Sequence, residues 1–247
     1  MKYLYIFIAL LVFSCNDGVM EGPDANTILE KSINASGASN FYNSTITFNV
    51  KELEYELYRK EHISKFTMTR RVDTILYKAV YNMGEFGYYV NGELQNQTSQ
   101  AKVFFDTKLI GFVYTQSIPF VLDQNAIKVT RLKDAKIDGN TYFTVYASNK
   151  DPEMLPQDEF ILYINPETYL VEFYTQKYSL FQNRQLFKKA VNPRLVNSVH
   201  FVDYQVFYEK KDSQTPLEEF YNLYNDEKLS RQDDIILENI NVALNSD

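Results

Sequence analysis

Residues 160–208 read FILYINPETYLVEFYTQKYSLFQNRQLFKKAVNPRLVNSVHFVDYQVFY. Phe160 to Ile164 and Tyr169 to Tyr174 are runs of aromatic and β-branched residues, and Asn165-Pro166-Glu167-Thr168 between them is turn sequence. Asn192-Pro193-Arg194 predicts a second turn joining two more strands. Strands separated by turns at regular spacing predict antiparallel neighbours in a meander, curled into a sheet or partial barrel.

The same pattern extends towards the N-terminus. Strands are expected from Ile127 onward, with a hairpin turn at Asp138-Gly139. Ile46, Phe48 and Val50 alternate, and Leu53, Tyr55 and Leu57 take the opposite parity, so a turn or bulge belongs near Lys51-Glu52. Residues 62–82 read as two strands broken near Arg71 to Asp73, and Phe86 to Val90 as another that enters a tight turn at Asn91-Gly92. Aromatic content supports a β-rich chain: 20 Tyr and 18 Phe, with only 8 Gly and 7 Pro.

Three segments depart from this rhythm. Asp24 to Gly37 predicts a short helix, with Ile28, Leu29 and Ile33 on one face, Asp24 or Asn26 as cap and Gly37 as stop. Gln100 to Gln116 carries Ala101, Phe104, Phe105, Leu109, Phe112 and Val113 on one helical stripe, and Pro119 ends it before Phe120-Val121-Leu122. Thr215-Pro216-Leu217-Glu218 reads as a helix start with a capping box, and Leu217, Phe220, Tyr221 and Tyr224 as its apolar face. Ile240, Val242 and Leu244 alternate as a last strand. The expected class is therefore mainly β (α+β): a curved antiparallel meander or half-barrel with an N-terminal helix, a mid-chain lid helix and a short C-terminal helix.

The first 26 residues predict export. Lys2 is followed by eleven apolar residues, Tyr3 to Phe13. A membrane-spanning helix needs about 20, so the run fits the core of a signal peptide. Val12-Phe13-Ser14-Cys15 resembles the lipobox of bacterial lipoproteins, although Phe13 is bulkier than the usual residue there. That resemblance implies cleavage before Cys15 and acyl chains on its sulfur; two chains suffice for stable anchoring. The alternative is an ordinary signal peptide with an incidental cysteine. Cys15 is the only cysteine, which excludes an intrachain disulfide. The expected organisation is a lipoprotein signal peptide at 1–14, a tether at 15–26 and one β-rich domain at 27–247. The expected location is the cell envelope, held by lipid at the outer membrane.

Composition narrows the function. The formal net charge is −7, and residues 1–14 contribute one cation, so the mature chain is near −8. Nucleic-acid binding needs clustered Lys and Arg and is not expected. The two histidines, His62 and His200, form no metal-ligand spacing, and each reads as a surface strand residue. Asp151, Glu153, Asp158 and Glu159 match no calcium loop and read as a solvated acidic stretch. Lys128, Arg131, Lys133 and Lys136, with Asp134 beside them, read as a strand edge guarded by charge. No phosphate loop or nucleophile elbow is present, and no catalytic residue, metal site or cofactor is expected.

Pro119 to Tyr208 resembles a family of uncharacterised bacterial lipoproteins and secreted proteins. The resemblance rests on Pro119-Phe120-Val121-Leu122, on Tyr163 to Tyr169, on Asn192, Arg194 and Val196-Asn197, and on Phe201 to Tyr204. Ser198 departs from it, where the family usually has Gly. The wider layout is similar to the LolA/LppX-type fold of lipoprotein-sorting proteins, which implies a half-barrel with covering helices and, in some members, acyl chains held between sheet and lid. On that footing Phe104, Phe105, Leu109, Phe112 and Phe120 are the candidate cavity lining, and a lipid or other hydrophobic molecule is the candidate ligand. Each buried CH₂ contributes roughly 0.8 kcal/mol, so an acyl chain is a reasonable guest. The same stripe packing on the sheet without a cavity is the alternative, and it fits an envelope protein with a filled core that binds other proteins. An enzyme built on scattered residues such as Asp203 with Arg194 is a third reading.

Overall fold

In the computed structural model the described residues are 22–61, 63–96, 109–122, 125–151, 153, 158–179, 184–210 and 215–245. Helix α1 (Ala25–Ala35) starts where expected. The Asp24 carboxylate accepts from the backbone N–H groups of Asn26 and Thr27 and from the Thr27 hydroxyl at 2.8–3.1 Å. Ile28, Leu29 and Ile33 are buried on one face. Gly37, at φ +95°, turns the chain into α2 (Ala38–Phe41).

Strands β1 (Ser44–Val50), β2 (Leu53–Lys60), β3 (Ile63–Val72), β4 (Ile75–Asn82), β5 (Glu85–Val90) and β6 (Glu93–Leu94) form an antiparallel meander. Residues 109–116 are helical, as α3, and a 3-10 turn follows at Phe120–Leu122. A second meander comprises β7 (Ile127–Ile137), β8 (Asn140–Asn149), β9 (Glu159–Ile164), β10 (Val171–Tyr178), β11 (Arg184–Val196) and β12 (Val199–Tyr208). Then come a 3-10 turn at Leu217–Glu219, α4 (Phe220–Asn225), β13 (Ser230–Arg231) and β14 (Glu238–Leu244). The strands divide into two sheets, ordered β14-β1-β2-β3-β4-β5-β6 and β13-β12-β11-β10-β9-β8-β7. The class is thus mainly antiparallel β with a few short helices, as expected. The division into two sheets and the return of β14 to pair with β1 are additions made by the structure.

Register explains the core. In the first sheet Val242, Ile46, Leu57, Phe66, Tyr81 and Phe86 are successive cross-strand partners on one face. That inner face packs into one apolar cluster with α1, α3, the Phe120–Leu122 turn and one face of the second sheet. The second sheet is covered on both sides. Val145, Leu162 and Tyr174 face the shared cluster, while Tyr163, Phe173 and Phe187 face α4 through Phe220, Tyr221 and Tyr224. Burial on both faces is why Phe160 to Ile164 reads as an unbroken apolar run rather than an alternating one.

One expected turn changes. Asn192-Pro193-Arg194 is not a hairpin: β11 runs on to Val196, and the register against β12 shifts between Val191 and Arg194. Proline cannot donate to the ladder, and a bulge accommodates that loss without ending the strand. The turn lies later, at Asn197-Ser198, with φ +45° and +62°. The last helix opens with a 3-10 turn at Leu217–Glu219, with Pro216 at the cap position.

Candidate functional site

The site grows from the inner face of the first sheet. Strand parity puts Phe48 on β1 opposite Tyr55 on β2, and their rings stack at 5.3 Å. Phe112 of α3 stacks on the other side of Tyr55 at 4.6 Å. Leu109 and Val113, one helical turn apart, are fully buried beside it. Phe120 stacks on Phe41 at 3.8 Å with planes 10° apart, and the Tyr42 hydroxyl donates to the Phe120 carbonyl at 2.9 Å. Leu109, Phe112 and Phe120 are therefore gathered on this face. Phe104, Phe105 and Cys15 lie outside the described residues.

Arg59 was not singled out from the sequence. It shares the parity of Tyr55 and Leu57, so β2 turns its side chain towards the same apolar face. Its guanidinium lies between the rings of Phe41 and Phe66, 4.8 and 5.0 Å from their centroids. Burial pulls its pKa below the ordinary arginine value, and the nearby Tyr114 and Tyr42 hydroxyls oppose that. The i, i+2, i+4 spacing of Tyr55, Leu57 and Arg59 is the signal that would have marked it.

A second buried cation occupies the facing sheet. Lys188 stands in the row between Tyr174 and Val206 and is 1% exposed. Its Nζ donates to the Tyr174 hydroxyl at 2.8 Å, the Tyr178 hydroxyl at 3.1 Å and Gln176 Oε1 at 3.3 Å. Desolvation pulls its pKa down to about 7. The Tyr174 hydroxyl in turn donates to the Thr115 carbonyl at 3.3 Å, which links the lysine to the last turn of α3. Burial holds that hydroxyl well above the usual tyrosine range.

Other expected features resolve into structural roles. Asp203 is 2% exposed and accepts from both terminal nitrogens of Arg194, from Asn192 at 3.0 Å and from the Leu237 N–H at 2.9 Å. Its oxygens are occupied in tying the bulged part of β11 to the segment before β14. Asp158 and Glu159 are bound rather than merely solvated: Asp158 accepts from Ser179 and Gln176, and Glu159 from Lys177 and Tyr146. Arg131 pairs with Asp134 on β7, at the edge of its sheet. His200 is on a strand but half-buried. It lines a small half-open cleft with Ser36, Pro119, Val171, Phe201 and Leu237, which has room for about one water molecule. Burial lowers the His200 pKa. Among the described residues no group of three or more potential ligands could hold a metal ion, and no helix is long and apolar enough to cross a membrane.

The chain is similar to several solved structures. A LolA superfamily protein from Nitrosomonas europaea aligns at 11% identity over 87% of this chain and 94% of that one, with a TM-score of 0.48. A putative outer membrane lipoprotein-sorting protein domain from Vibrio parahaemolyticus aligns at 11% identity over 82% and 97%, with a TM-score of 0.45. A DUF1329 family protein from Desulfovibrio piger ATCC 29098 aligns at 9% identity over 88% and 92%, with a TM-score of 0.42. No curated protein matches the chain. A family model does match, over residues 2–238, and the chain belongs to that family of unknown function, DUF6503.

Proposed function

We propose that this protein is an envelope lipoprotein, anchored by lipid on Cys15, whose domain from residue 27 onward holds a lipid or other hydrophobic ligand on the inner face of the first sheet. The observation that carries this reading is the aromatic face itself. Tyr55, Phe66, Tyr81 and Phe86 line it, and α3 meets it through the part-buried ring of Phe112. Apolar concave faces beneath a separate helix are common ligand sites. An anchored protein cannot cross the periplasm, so its role is to receive, present or sense the ligand.

The test is extraction of the full-length protein from membranes, followed by native mass spectrometry and organic extraction of whatever it carries. Co-purified lipid is the expected result. An empty protein that also refuses added fatty acid would end the ligand reading. The anchor is tested separately by incorporation of labelled acyl chains, which Cys15→Ser should abolish.

A second reading has its own observation. The Phe41–Phe120 stack and the full burial of Leu109 and Val113 describe a packed interior. A filled core would suit a protein that works through other envelope proteins. Recovery of a stable protein partner from membranes, with no lipid in the extract, would favour it.

A further inference from the structure

Among the described residues four partly buried cations pair with a carboxylate, while Lys65 and Lys78 on the first sheet do not. Arg131 has Asp134, Lys177 has Glu159, Lys189 has Asp138 and Arg194 has Asp203. The Lys188 amine is surrounded by neutral acceptors. Arg59 stands apart because its guanidinium lies against two rings of the apolar inner face. Among the described residues no carboxylate and no hydrogen-bond acceptor lies on its guanidinium, and its Nε is buried without a partner. The two terminal nitrogens are not among the buried unpaired atoms, so they are not sealed off.

A desolvated charge without a counter-ion is unfavourable unless something supplies one. The flanking residues do not. Its cross-strand partners on the same face are Ser44 and Ser64, and its ring neighbours are Phe41 and Phe66. Those rings flank the guanidinium, and a planar fork of N–H groups matches carboxylate or phosphate oxygens bidentately. Next to Arg59 the inner face of the sheet is apolar: Leu57, Phe66, Tyr81 and Phe86 form one row, with Tyr55, Met68 and Tyr88 in the row beyond, and Leu57, Phe66 and Tyr55 are buried beneath the helices and the second sheet. A cation at one end of an apolar strip is the complement of an amphipathic anion. The chain as a whole is acidic, with a net charge of −7, so attraction to an anion has to be local.

We propose that Arg59 is the recognition site for the anionic end of an amphipathic ligand, a carboxylate or phosphate, with the hydrocarbon lying along the inner face of the first sheet. This rests on the hydrophobic-ligand reading above and gives that ligand a charge.

The experiment compares three probes of equal chain length on the delipidated full-length protein: palmitic acid, hexadecyl phosphate and hexadecanol. Binding is read by displacement of a fluorescent fatty acid at mildly alkaline pH, where the carboxyl is ionised. At least one anion should bind about tenfold or more tightly than the alcohol. The tighter anion distinguishes a fatty-acid carboxylate from a lipid phosphate. Arg59→Gln should bring the anions to within about twofold of the alcohol. Arg59→Lys keeps the charge but not the fork and should retain part of the preference. If Arg59→Gln does not fold, the wild-type comparison and Arg59→Lys still decide. Equal binding of all three probes by the wild type, or a preference that survives in Arg59→Gln, would overturn the proposal and leave the hydrophobic-ligand reading intact. If no probe binds, both fall.

Discussion

The ring of Phe112 on α3 stacks against the ring of Tyr55 on β2, with centroids 4.6 Å apart and planes 23° apart. It joins α3 to the middle of the first sheet. Tyr55 is itself held from the other side by Phe48. An aromatic pair contributes about 0.5–1.5 kcal/mol beyond its buried area. A double-mutant cycle with Phe112→Leu and Tyr55→Leu, read by denaturant unfolding, should give a coupling energy in that range. Additive effects would mean that the contact does not hold α3 to the sheet.

Lys188 makes a prediction about pH. Its pKa falls from 10.5 in the unfolded chain to about 7 in the fold, because burial disfavours the charged amine. Between those values the unfolded chain binds a proton that the folded chain lacks. Stability should therefore rise from about pH 7 to about pH 10, by at most about 1.4 kcal/mol per pH unit. Below that window both states are protonated and the contribution is flat. Above it the buried Tyr174 and Tyr204 hydroxyls, whose pKa values are raised, reverse the trend as the unfolded chain ionises first. Lys188→Met should remove the rise; a mutant that keeps it would show that another group is responsible.

Gly37 and Ser198 meet across the junction of α1 and the β11–β12 turn. A Cβ on Gly37 would sit 1.9 Å from the Ser198 carbonyl oxygen, and Gly37 is already at φ +95°. Gly37→Ala should destabilise by about 2 kcal/mol or more, since both backbone strain and a clash with main chain act together. Ser198→Gly should do the opposite, raising stability by up to about 1 kcal/mol, because φ +62° suits glycine. Thermal melts of the two variants check both signs.

Asp203 is expected to be structural. Asp203→Ala strips the carboxylate from Arg194, Asn192 and the Leu237 N–H and leaves them facing a gap. Removing one partner of a buried pair costs about 3–5 kcal/mol, and the one-third exposure of Arg194 places this case near the lower end. Adding Arg194→Met should recover part of the loss. Urea unfolding of the single and double variants measures it, and a single variant as stable as the wild type would refute the assignment.

Much of the fold was legible because its determinants are local. The Asp24 cap, the turns at Asn91-Gly92 and Asp138-Gly139, the parity of Ile46 and Phe48 against Tyr55 and Leu57, and the aromatic face of α4 depend on residues close together in the chain. Leu109, Phe112 and Phe120 were legible as an apolar set for the same reason. Asn192-Pro193 misled because proline-containing turn sequence also suits a bulge, and only the pairing of β11 with β12 distinguishes them.

Local sequence thus accounts for the short-range elements: which segments coil, which extend, where most hairpins turn and which side of each strand is apolar. Backbone propensity and side-chain period settle these within a few residues. The tertiary structure alone decided which strands meet and what surrounds each charge. It divided the meander into two sheets and brought β14 back to β1 across most of the chain. It placed Lys188 among neutral hydroxyls and set Arg59 against two phenyl rings, with no carboxylate on it among the described residues. A charge's environment is set by residues distant in sequence, and that is why Arg59 stands out only when the sheets are assembled.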